Sequence, residues 1–265
     1  MLLAIDAGNT NTVLAVFRDG ALMCQWRISA NNKRTGDEYF LFLERFLESN
    51  GFSKNDINDV IISSVVPQNI FSLKTLSRKH LNTEPLIIGE DNVFLGIDIK
   101  LDKPREVGAD RLVNSIAAYE KFGGNLVIID FGTATTFDVV GSGGEYLGGA
   151  ISPGINLSIE ALHNAAAKLP SIDISRPKKV IGDSTESAMQ SGIYWGYVGL
   201  IEGIVTRIEK EYAKPMKVIC TGGLAPLFYD AIDKIEFLET DLTIEGLNLI
   251  YKKNSVNNDS KLKKA

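Results

Sequence analysis

The feature that most constrains this chain is a polar motif that occurs twice, each time between two apolar segments. The first copy runs from Asp6 to Thr12, after Leu2-Leu3-Ala4-Ile5 and before Val13 to Phe17. The second copy begins at Asp130, so that Gly8 aligns with Gly132 and Thr12 with Thr136. Apolar segments around a tight polar turn predict a β-hairpin. Repetition at about half the chain length predicts two related domains facing each other.

The first turn carries more small polar groups than a hairpin requires. Backbone N–H groups near Gly8, with the side chains of Asn9 to Thr12, can line a phosphate, while Asp6 can hold its metal ion. Glycine and asparagine are also ordinary turn formers, so a polar hairpin tip without a ligand is the alternative interpretation. The second copy favours a ligand that both turns contact.

The remaining pattern predicts an α/β protein. In the first half, apolar runs and helical periodicities follow the order β-β-β-α-β-α-β, and Thr35 with Glu38 predicts a capping box on the first helix. We expect a first domain over residues 1–115, a second over 116–251, and a flexible polar tail over 252–265, where apolar periodicity is lost.

A long helix predicted to end near Tyr212 contains four glycines on one face, Gly192, Gly196, Gly199 and Gly203. Glycine costs about 1 kcal/mol per site in a helix interior, so another backbone is expected to approach this face closely. Two partners fit equally well, a segment of the same chain or a second subunit in a homodimer.

Composition and missing motifs exclude several functional classes. A net charge of −5 argues against a broad nucleic-acid-binding surface. Two cysteines without metal-ligand spacing fit a reducing cytoplasm, and no secretory signal is apparent. No apolar run reaches the roughly 18 residues of a membrane span. The chain also lacks a Gly-x-x-x-x-Gly-Lys-Ser/Thr loop and a Rossmann glycine fingerprint.

Paired Asp-x-Gly hairpins followed by Thr221-Gly222-Gly223 resemble the acetate and sugar kinase, heat-shock 70 and actin superfamily. Within it, four segments are similar to type III pantothenate kinase, in order and over nearly the whole chain: Asp6 to Thr12, Glu106 to Arg111, Ile129 to Thr135, and Gly149 to Gly154. The run Gly108-Ala109-Asp110-Arg111 is the most specific. The resemblance implies two similar ribonuclease-H-like domains, the actin-like ATPase duplication, with mixed sheets flanked by helices.

The same resemblance implies the reaction, in which ATP with Mg²⁺ phosphorylates pantothenate to 4′-phosphopantothenate, the first step of coenzyme A biosynthesis. Asp110 matches the proton acceptor, and the substrate-binding residues are Gly108, Ala109, Asp110, Arg111 and Thr185, the last near a dimer interface. Those matching the ATP site are Asp6, Ala7, Gly8, Asn9, Thr10, Asn11, Thr12, Val13 and Thr133. Asp130 matches the ligand of a monovalent cation, K⁺ or NH₄⁺. Leu101 departs from the family, where an aromatic residue commonly covers the substrate.

Elementary chemistry agrees with these assignments and leaves alternatives open. An ordinary aspartate is ionised at neutral pH, so Asp110 can orient an alcohol, although a helix N-cap is its simpler role. Arg111 can pair with a carboxylate or be a solvated charge. Neither hairpin contains lysine, so we expect metal ions to supply the positive charge. The alternative functions are a kinase for another small hydroxy or carboxylate substrate and a non-enzymatic transcription accessory factor.

Overall fold

The computed structural model describes residues 1–166 and 169–262, which divide into two compact α/β units. The first unit contains Met1–Ile97, Lys103–Ala117 and the chain from Leu242 onward. The second contains Asp98–Asp102 and Ala118–Asp241. No helix within the described residues is long and apolar enough to cross a bilayer.

The first unit is built on a five-stranded mixed sheet with the strand order β3-β2-β1-β4-β5. Its strands are β1 Leu2–Ala7, β2 Asn11–Arg18, β3 Ala21–Ser29, β4 Asp59–Ser64 and β5 Leu86–Ile87. The first three are antiparallel neighbours, whereas β4 and β5 continue the sheet in parallel. The first hairpin therefore lies at the centre of the sheet.

Helices cover both faces of this sheet. They are α1 Gly36–Ser49, α2 Pro67–Thr75 with a π turn at Leu76–His80, α3 Ala109–Phe122 and a C-terminal helix, α7, over Leu242–Leu262. Short 3₁₀ turns lie at Lys54–Asp56 and Pro104–Glu106. The predicted capping box is confirmed, because Thr35 accepts the Glu38 N–H and the Glu38 carboxylate accepts the Thr35 N–H. On β1, Leu3 and Ile5 pack towards α1 while Leu2 lies in a second core on the opposite face.

The second unit repeats the first in strand order, β8-β7-β6-β9-β10. Its strands are β6 Leu126–Phe131, β7 Ala134–Val140, β8 Tyr146–Pro153, β9 Lys217–Thr221 and β10 Phe237–Leu238. Its helices are α4 Ile155–Ala165, α5 Thr185–Tyr212 and α6 Ala225–Tyr229. Both units follow the order β-β-β-α-β-α-β, except that the second has two helices, α4 and α5, between its third and fourth strands. The shared order confirms the repeat.

The C-terminal region differs from the prediction. Helix α7 spans Leu242–Leu262, and its residues Ile244, Leu247 and Ile250 pack in the core that contains Leu2 of the first unit. The expected assignment of 242–251 to the second domain is therefore corrected. The sequence also predicts a flexible tail from residue 252, but the helix continues through 262; residues 263–265 lie outside the described part.

A polar residue explains why the helix continues where apolar periodicity is lost. Asn254 is buried, its Oδ1 accepts the Phe94 N–H at 2.8 Å, and its Nδ2 donates to the Phe94 carbonyl at 2.8 Å. Nδ2 also donates to the Ile250 carbonyl at 2.8 Å. A side-chain amide thus holds this turn, and a hydrophobic pattern cannot reveal such an attachment.

Candidate active site

The first turn joins the end of β1 to the start of β2 and presents its polar tip to solvent. Gly8 N–H donates to the Asn11 carbonyl at 2.9 Å, and Ala7 lies opposite Thr12 in the strand register. Asn9, Thr10 and Asn11 are exposed. Ala7 and Thr12 are buried beneath them, and the turn therefore offers an accessible set of amide and hydroxyl groups.

A cavity of about 460 Å³ lies beside this turn within the first unit. Most of its lining is polar and it contains no carboxylate: Asn9, Ser29, Ala30, Asn31, Asn32, Arg34, Val66 and Asn69. Arg34 is the cation of this lining, and the neighbouring helix α2 begins at Pro67. Donor groups and the positive end of a helix favour an anionic ligand here.

Asp6 is half-buried near the end of β1, opposite Val13 on one side and Ser63 on the other. Ser63 is buried, and its Oγ has no hydrogen-bond partner within residues 1–166 and 169–262. A carboxylate beside an unsatisfied hydroxyl oxygen is a donor set that suits a hard divalent cation. The described residues contain no group of three or more His, Cys, Asp or Glu arranged for a metal.

The Gly108–Arg111 element begins α3 and lies close to the end of β1. Val65 makes the connection, because its N–H donates to the Ala7 carbonyl at 3.3 Å and its side chain lies 3.7 Å from the position a Cβ on Gly108 would occupy. The structure thus brings this element near the first turn, within one unit. Four of the predicted substrate residues and the predicted ATP turn are neighbours.

Asp110 lies inside the first turn of α3, which begins at Ala109, and not at the cap of a helix beginning at Arg111. Its Oδ1 accepts the Arg111 backbone N–H at 2.8 Å, and a Cβ on Gly108 would lie 2.6 Å from the same oxygen. Burial raises the pKa of the Asp110 carboxyl, although the Arg111 N–H and positive charge act in the opposite direction. A desolvated carboxylate is a better proton acceptor than a solvated one.

The second turn, in the second unit, is one residue shorter than the first. Gly132 N–H donates to the Ala134 carbonyl at 3.1 Å, and the strand register places Phe131 opposite Thr135. Because Ala7 lies opposite Thr12 in the first hairpin, Thr12 corresponds to Thr135. The sequence alignment of Thr12 with Thr136 is therefore wrong, since an ungapped offset cannot detect a shortened turn.

Asp130 lies against the glycine turn after β9. A Cβ on Gly222 would lie 2.5 Å from Asp130 Oδ1 and 2.7 Å from the Phe131 carbonyl oxygen. Gly222 also has a φ of +94°, which side chains rarely adopt. A carboxylate oxygen, a carbonyl oxygen and a backbone nitrogen therefore surround this glycine closely.

Thr185 is exposed at the start of α5, on the same face as the four glycines. It precedes Gly192 by seven residues, which is close to two helical turns. Apart from the helix's own nearby backbone, no heavy atom of the described residues lies within 4 Å of a Cβ built on Gly192, Gly196 or Gly199. Within the part of the chain that the structure describes, no other segment packs closely on these three positions.

The structure also identifies residues that sequence reasoning missed. Asp138 is buried in β7, where it accepts hydrogen bonds from the Tyr146 hydroxyl at 2.8 Å and the Thr136 hydroxyl at 3.1 Å. The only sequence signal is a carboxylate between the apolar residues Phe137 and Val139 of that strand. Leu101, at the position where the family commonly has an aromatic, lies against Gly148 in the second unit, with its Cδ2 3.1 Å from a Cβ built there.

Comparison with known proteins finds relatives along nearly the whole chain. The family described as type III pantothenate kinase matches residues 2–207. The type III pantothenate kinase of Paramagnetospirillum magneticum is 56% identical over 255 residues, which cover 96% of this chain and 98% of that protein. The type III pantothenate kinase of Rhodospirillum rubrum is 54% identical over 254 residues, covering 96% and 99%.

Among solved structures, an activator of 2-hydroxyisocaproyl-CoA dehydratase from Clostridium difficile, solved with bound ADPNP, has a TM-score of 0.56. The match covers 98% of this chain and 97% of that chain at 10% identity. At this identity the likeness concerns the fold alone. The predicted fold class, two similar ribonuclease-H-like domains of the actin-like ATPase kind with helices around mixed sheets, is confirmed.

Proposed function

The chain belongs to the type III pantothenate kinase family and transfers a phosphoryl group from ATP, with a divalent metal, to pantothenate in coenzyme A biosynthesis; on this premise we propose how its residues divide the work. The observation that carries the proposal is the placement of Asp110. A half-buried carboxylate with a raised pKa lies at the positive end of α3, beside Arg111 and close to the first turn.

We propose that Asp110 accepts the proton of the primary alcohol of pantothenate as the alcohol oxygen attacks the γ-phosphorus. The bond between the γ-phosphorus and the β–γ bridging oxygen breaks, and ADP leaves with that oxygen. Arg111 binds the pantothenate carboxylate, and Gly108 and Ala109 leave room for the substrate backbone. Gly108 has a further role, because a side chain there would collide with the Asp110 carboxylate. Phosphoryl transfer depends mainly on positioning and charge, and the start of α3 supplies both for pantothenate.

The residues from Asp6 to Val13, together with Thr133, are proposed to contact ATP. Backbone N–H groups and the amides and hydroxyls of Asn9, Thr10 and Asn11 bind phosphate oxygens. Mg²⁺ is the divalent metal that we place on Asp6, where it supplies the positive charge that lysine supplies in other phosphate-binding loops. The Asp130 carboxylate, with the Phe131 carbonyl beside Gly222, holds K⁺ or NH₄⁺.

A second copy of the chain is proposed to cover the glycine face of α5. The open space over Gly192, Gly196 and Gly199 allows a backbone to approach, and helix geometry places Thr185 on the same face. A homodimer formed there would bring the partner close to Thr185, which supports its role as a substrate contact. The enzyme acts in the cytoplasm on two small molecules, and its net charge of −5 gives no reason to involve nucleic acid.

The catalytic assignment is tested by measuring ADP formation with and without pantothenate for the wild type, Asp110→Asn and Asp91→Asn. Asp91 is an exposed aspartate of the same unit and serves as the control. We expect pantothenate-dependent turnover in the wild type and the control, and at least a 100-fold lower kcat in Asp110→Asn. Wild type without such turnover would refute the kinase assignment, and an active Asp110→Asn would refute only the proton acceptor.

The dimer is tested by light scattering after size-exclusion chromatography of Gly196→Leu and Glu211→Leu. Glu211 is exposed near the end of the same helix, on the other side of Gly196 from Gly199 and about 22 Å along the axis from Gly196, beyond the last of the four glycines. We expect a dimer for the wild type and Glu211→Leu, and a monomer with a raised KM for pantothenate for Gly196→Leu. A dimeric Gly196→Leu with unchanged kinetics would show that the face has another role.

A further inference from the structure

One buried hydroxyl of the second unit holds both strands beside the second turn. Tyr197 lies on α5 with 5% of its surface exposed, and its Oη donates to the Pro153 carbonyl at 2.6 Å. The same oxygen lies 2.7 Å from Thr135 Oγ1. A carbonyl only accepts, and a phenol has one proton to donate, so the Thr135 hydroxyl donates to Tyr197.

The two partners of Tyr197 flank the turn that contains Thr133. Thr135 is the second residue of β7, and Pro153 lies opposite Ala134 at the end of β8. Gly154, which follows Pro153, donates its N–H to the Thr133 carbonyl at 3.1 Å. A Cβ on Gly154 would lie only 2.2 Å from that carbonyl oxygen, so the contact is closely packed.

The first turn lacks the equivalent arrangement. Thr12, the register counterpart of Thr135, is fully buried, yet its Oγ1 has no hydrogen-bond partner among the residues that the structure describes. A buried threonine therefore occurs at this position of both hairpins, whereas a helix-borne phenol binds it in only one. The difference indicates that the Tyr197 contact serves the second turn specifically and is not a requirement of the fold.

We propose that Tyr197 is a positioning residue for ATP, which acts by fixing the backbone of the Gly132–Ala134 turn through Thr135 and Pro153. The inference rests on the proposed contact between Thr133 and ATP. Removing the phenol oxygen takes this partner from the buried Thr135 hydroxyl and from the Pro153 carbonyl, and loosens both sides of the turn. Pantothenate is assigned to the Gly108–Arg111 element of the other unit and to Thr185, which lies twelve residues, or about 18 Å along α5, from Tyr197. Its KM should therefore not respond.

Tyr194 provides a matched control for this proposal. It lies about one helical turn earlier on α5, is fully buried, and donates its hydroxyl to the Leu227 carbonyl at 3.2 Å. Both tyrosine rings contact Phe228, with centroid separations of 4.9 Å for Tyr194 and 5.8 Å for Tyr197. Both Tyr→Phe substitutions therefore remove a hydrogen-bonded phenol oxygen from a buried ring that contacts Phe228, but only the one at Tyr197 affects the turn.

The experiment measures KM for ATP and for pantothenate separately in Tyr197→Phe and Tyr194→Phe. We expect Tyr197→Phe to raise KM for ATP about 3- to 10-fold, the effect of one hydrogen bond, with KM for pantothenate unchanged. Tyr194→Phe should leave both within twofold of the wild type. Equal changes in both constants, or equal behaviour of the two variants, would overturn the positioning role.

Two further substitutions keep the proposal testable if Tyr197→Phe fails to fold. Thr135→Ser retains the hydroxyl and should retain the wild-type KM for ATP, whereas Thr135→Val should reproduce the Tyr197→Phe effect. An identical KM for ATP in the two Thr135 variants would overturn the proposal. Thr133→Ala separates the positioning role of Tyr197 from the proposed contact between Thr133 and ATP. An unchanged KM for ATP in Thr133→Ala, measured alongside a Tyr197 effect, would refute the Thr133 contact and retain the positioning of the turn.

Discussion

Gly222→Ala tests most directly whether the glycine turn after β9 fixes the proposed cation site. The new Cβ would lie 2.5 Å from Asp130 Oδ1 and 2.7 Å from the Phe131 nitrogen and carbonyl oxygen. Ordinary carbon–oxygen contacts are about 3.3 Å or longer, so the carboxylate and the peptide must move by roughly 0.6–0.8 Å. Misplacement by about 1 Å can cost a catalytic site about 100-fold, and we expect kcat/KM for ATP to fall by about 10- to 100-fold.

Backbone strain must be separated from this displacement, and Gly89→Ala does so. Gly89 has a φ of +95°, almost equal to the +94° of Gly222, but no atom of the described residues lies within 4 Å of its Cβ position. Both variants therefore bear the same conformational cost, about 1–2 kcal/mol in the left-handed region. Only Gly222→Ala adds the collision with Asp130 and Phe131.

The assay is kcat/KM for ATP over a series of K⁺ concentrations, with thermal unfolding measured on the same samples. We expect both variants to lose similar stability, and only Gly222→Ala to need more K⁺ for half-maximal activity. If the two variants have the same kcat/KM and the same K⁺ response, the crowding argument is refuted. A lower kcat/KM with a wild-type K⁺ response would refute only the cation assignment of Asp130.

Three further predictions concern stability. Because the folded-state pKa of Asp110 is raised, its charged form destabilises the fold above that pKa. Asp110→Asn should therefore be more stable than the wild type at pH 7. In denaturant titrations this gain should disappear as the pH falls to the ordinary carboxyl range. Thr12→Val should leave thermal stability unchanged or raise it, since it removes a buried hydroxyl without a partner, whereas Thr135→Val should lower it. Asn254→Ala should cost about 1–3 kcal/mol in urea unfolding, and an unchanged midpoint would show that α7 does not depend on its bonds to Phe94.

Much of this fold can be predicted from the sequence, because many of its elements are indicated by short local patterns, some of which occur in both units. The central strands β1 and β6 are buried on both faces and therefore appear as continuous apolar runs. The Thr35 capping box needs only two residues three positions apart. The Gly108–Arg111 run was recognisable as a family motif, although its packing beside Val65 was not.

Features that depend on pairing across the chain could not be predicted in this way. The shortened second turn appears only in the strand register, and the Tyr197 contact joins residues 62 positions apart. Burial raises the pKa of the Asp110 carboxyl, and the residue type alone does not predict that shift. The end of α7 depends on one amide bound to a loop 160 positions away.

The packing of α7 has a consequence for the order in which the protein can be made. The core around Leu2 and Ala4 is completed by Ile244, Leu247 and Ile250, which are synthesised after the whole of the second unit. The second unit, by contrast, is nearly continuous in sequence, from Ala118 to Asp241. Since domains generally fold as units during synthesis, we expect the unit encoded second to be complete on the ribosome while the unit encoded first still waits for its final helix.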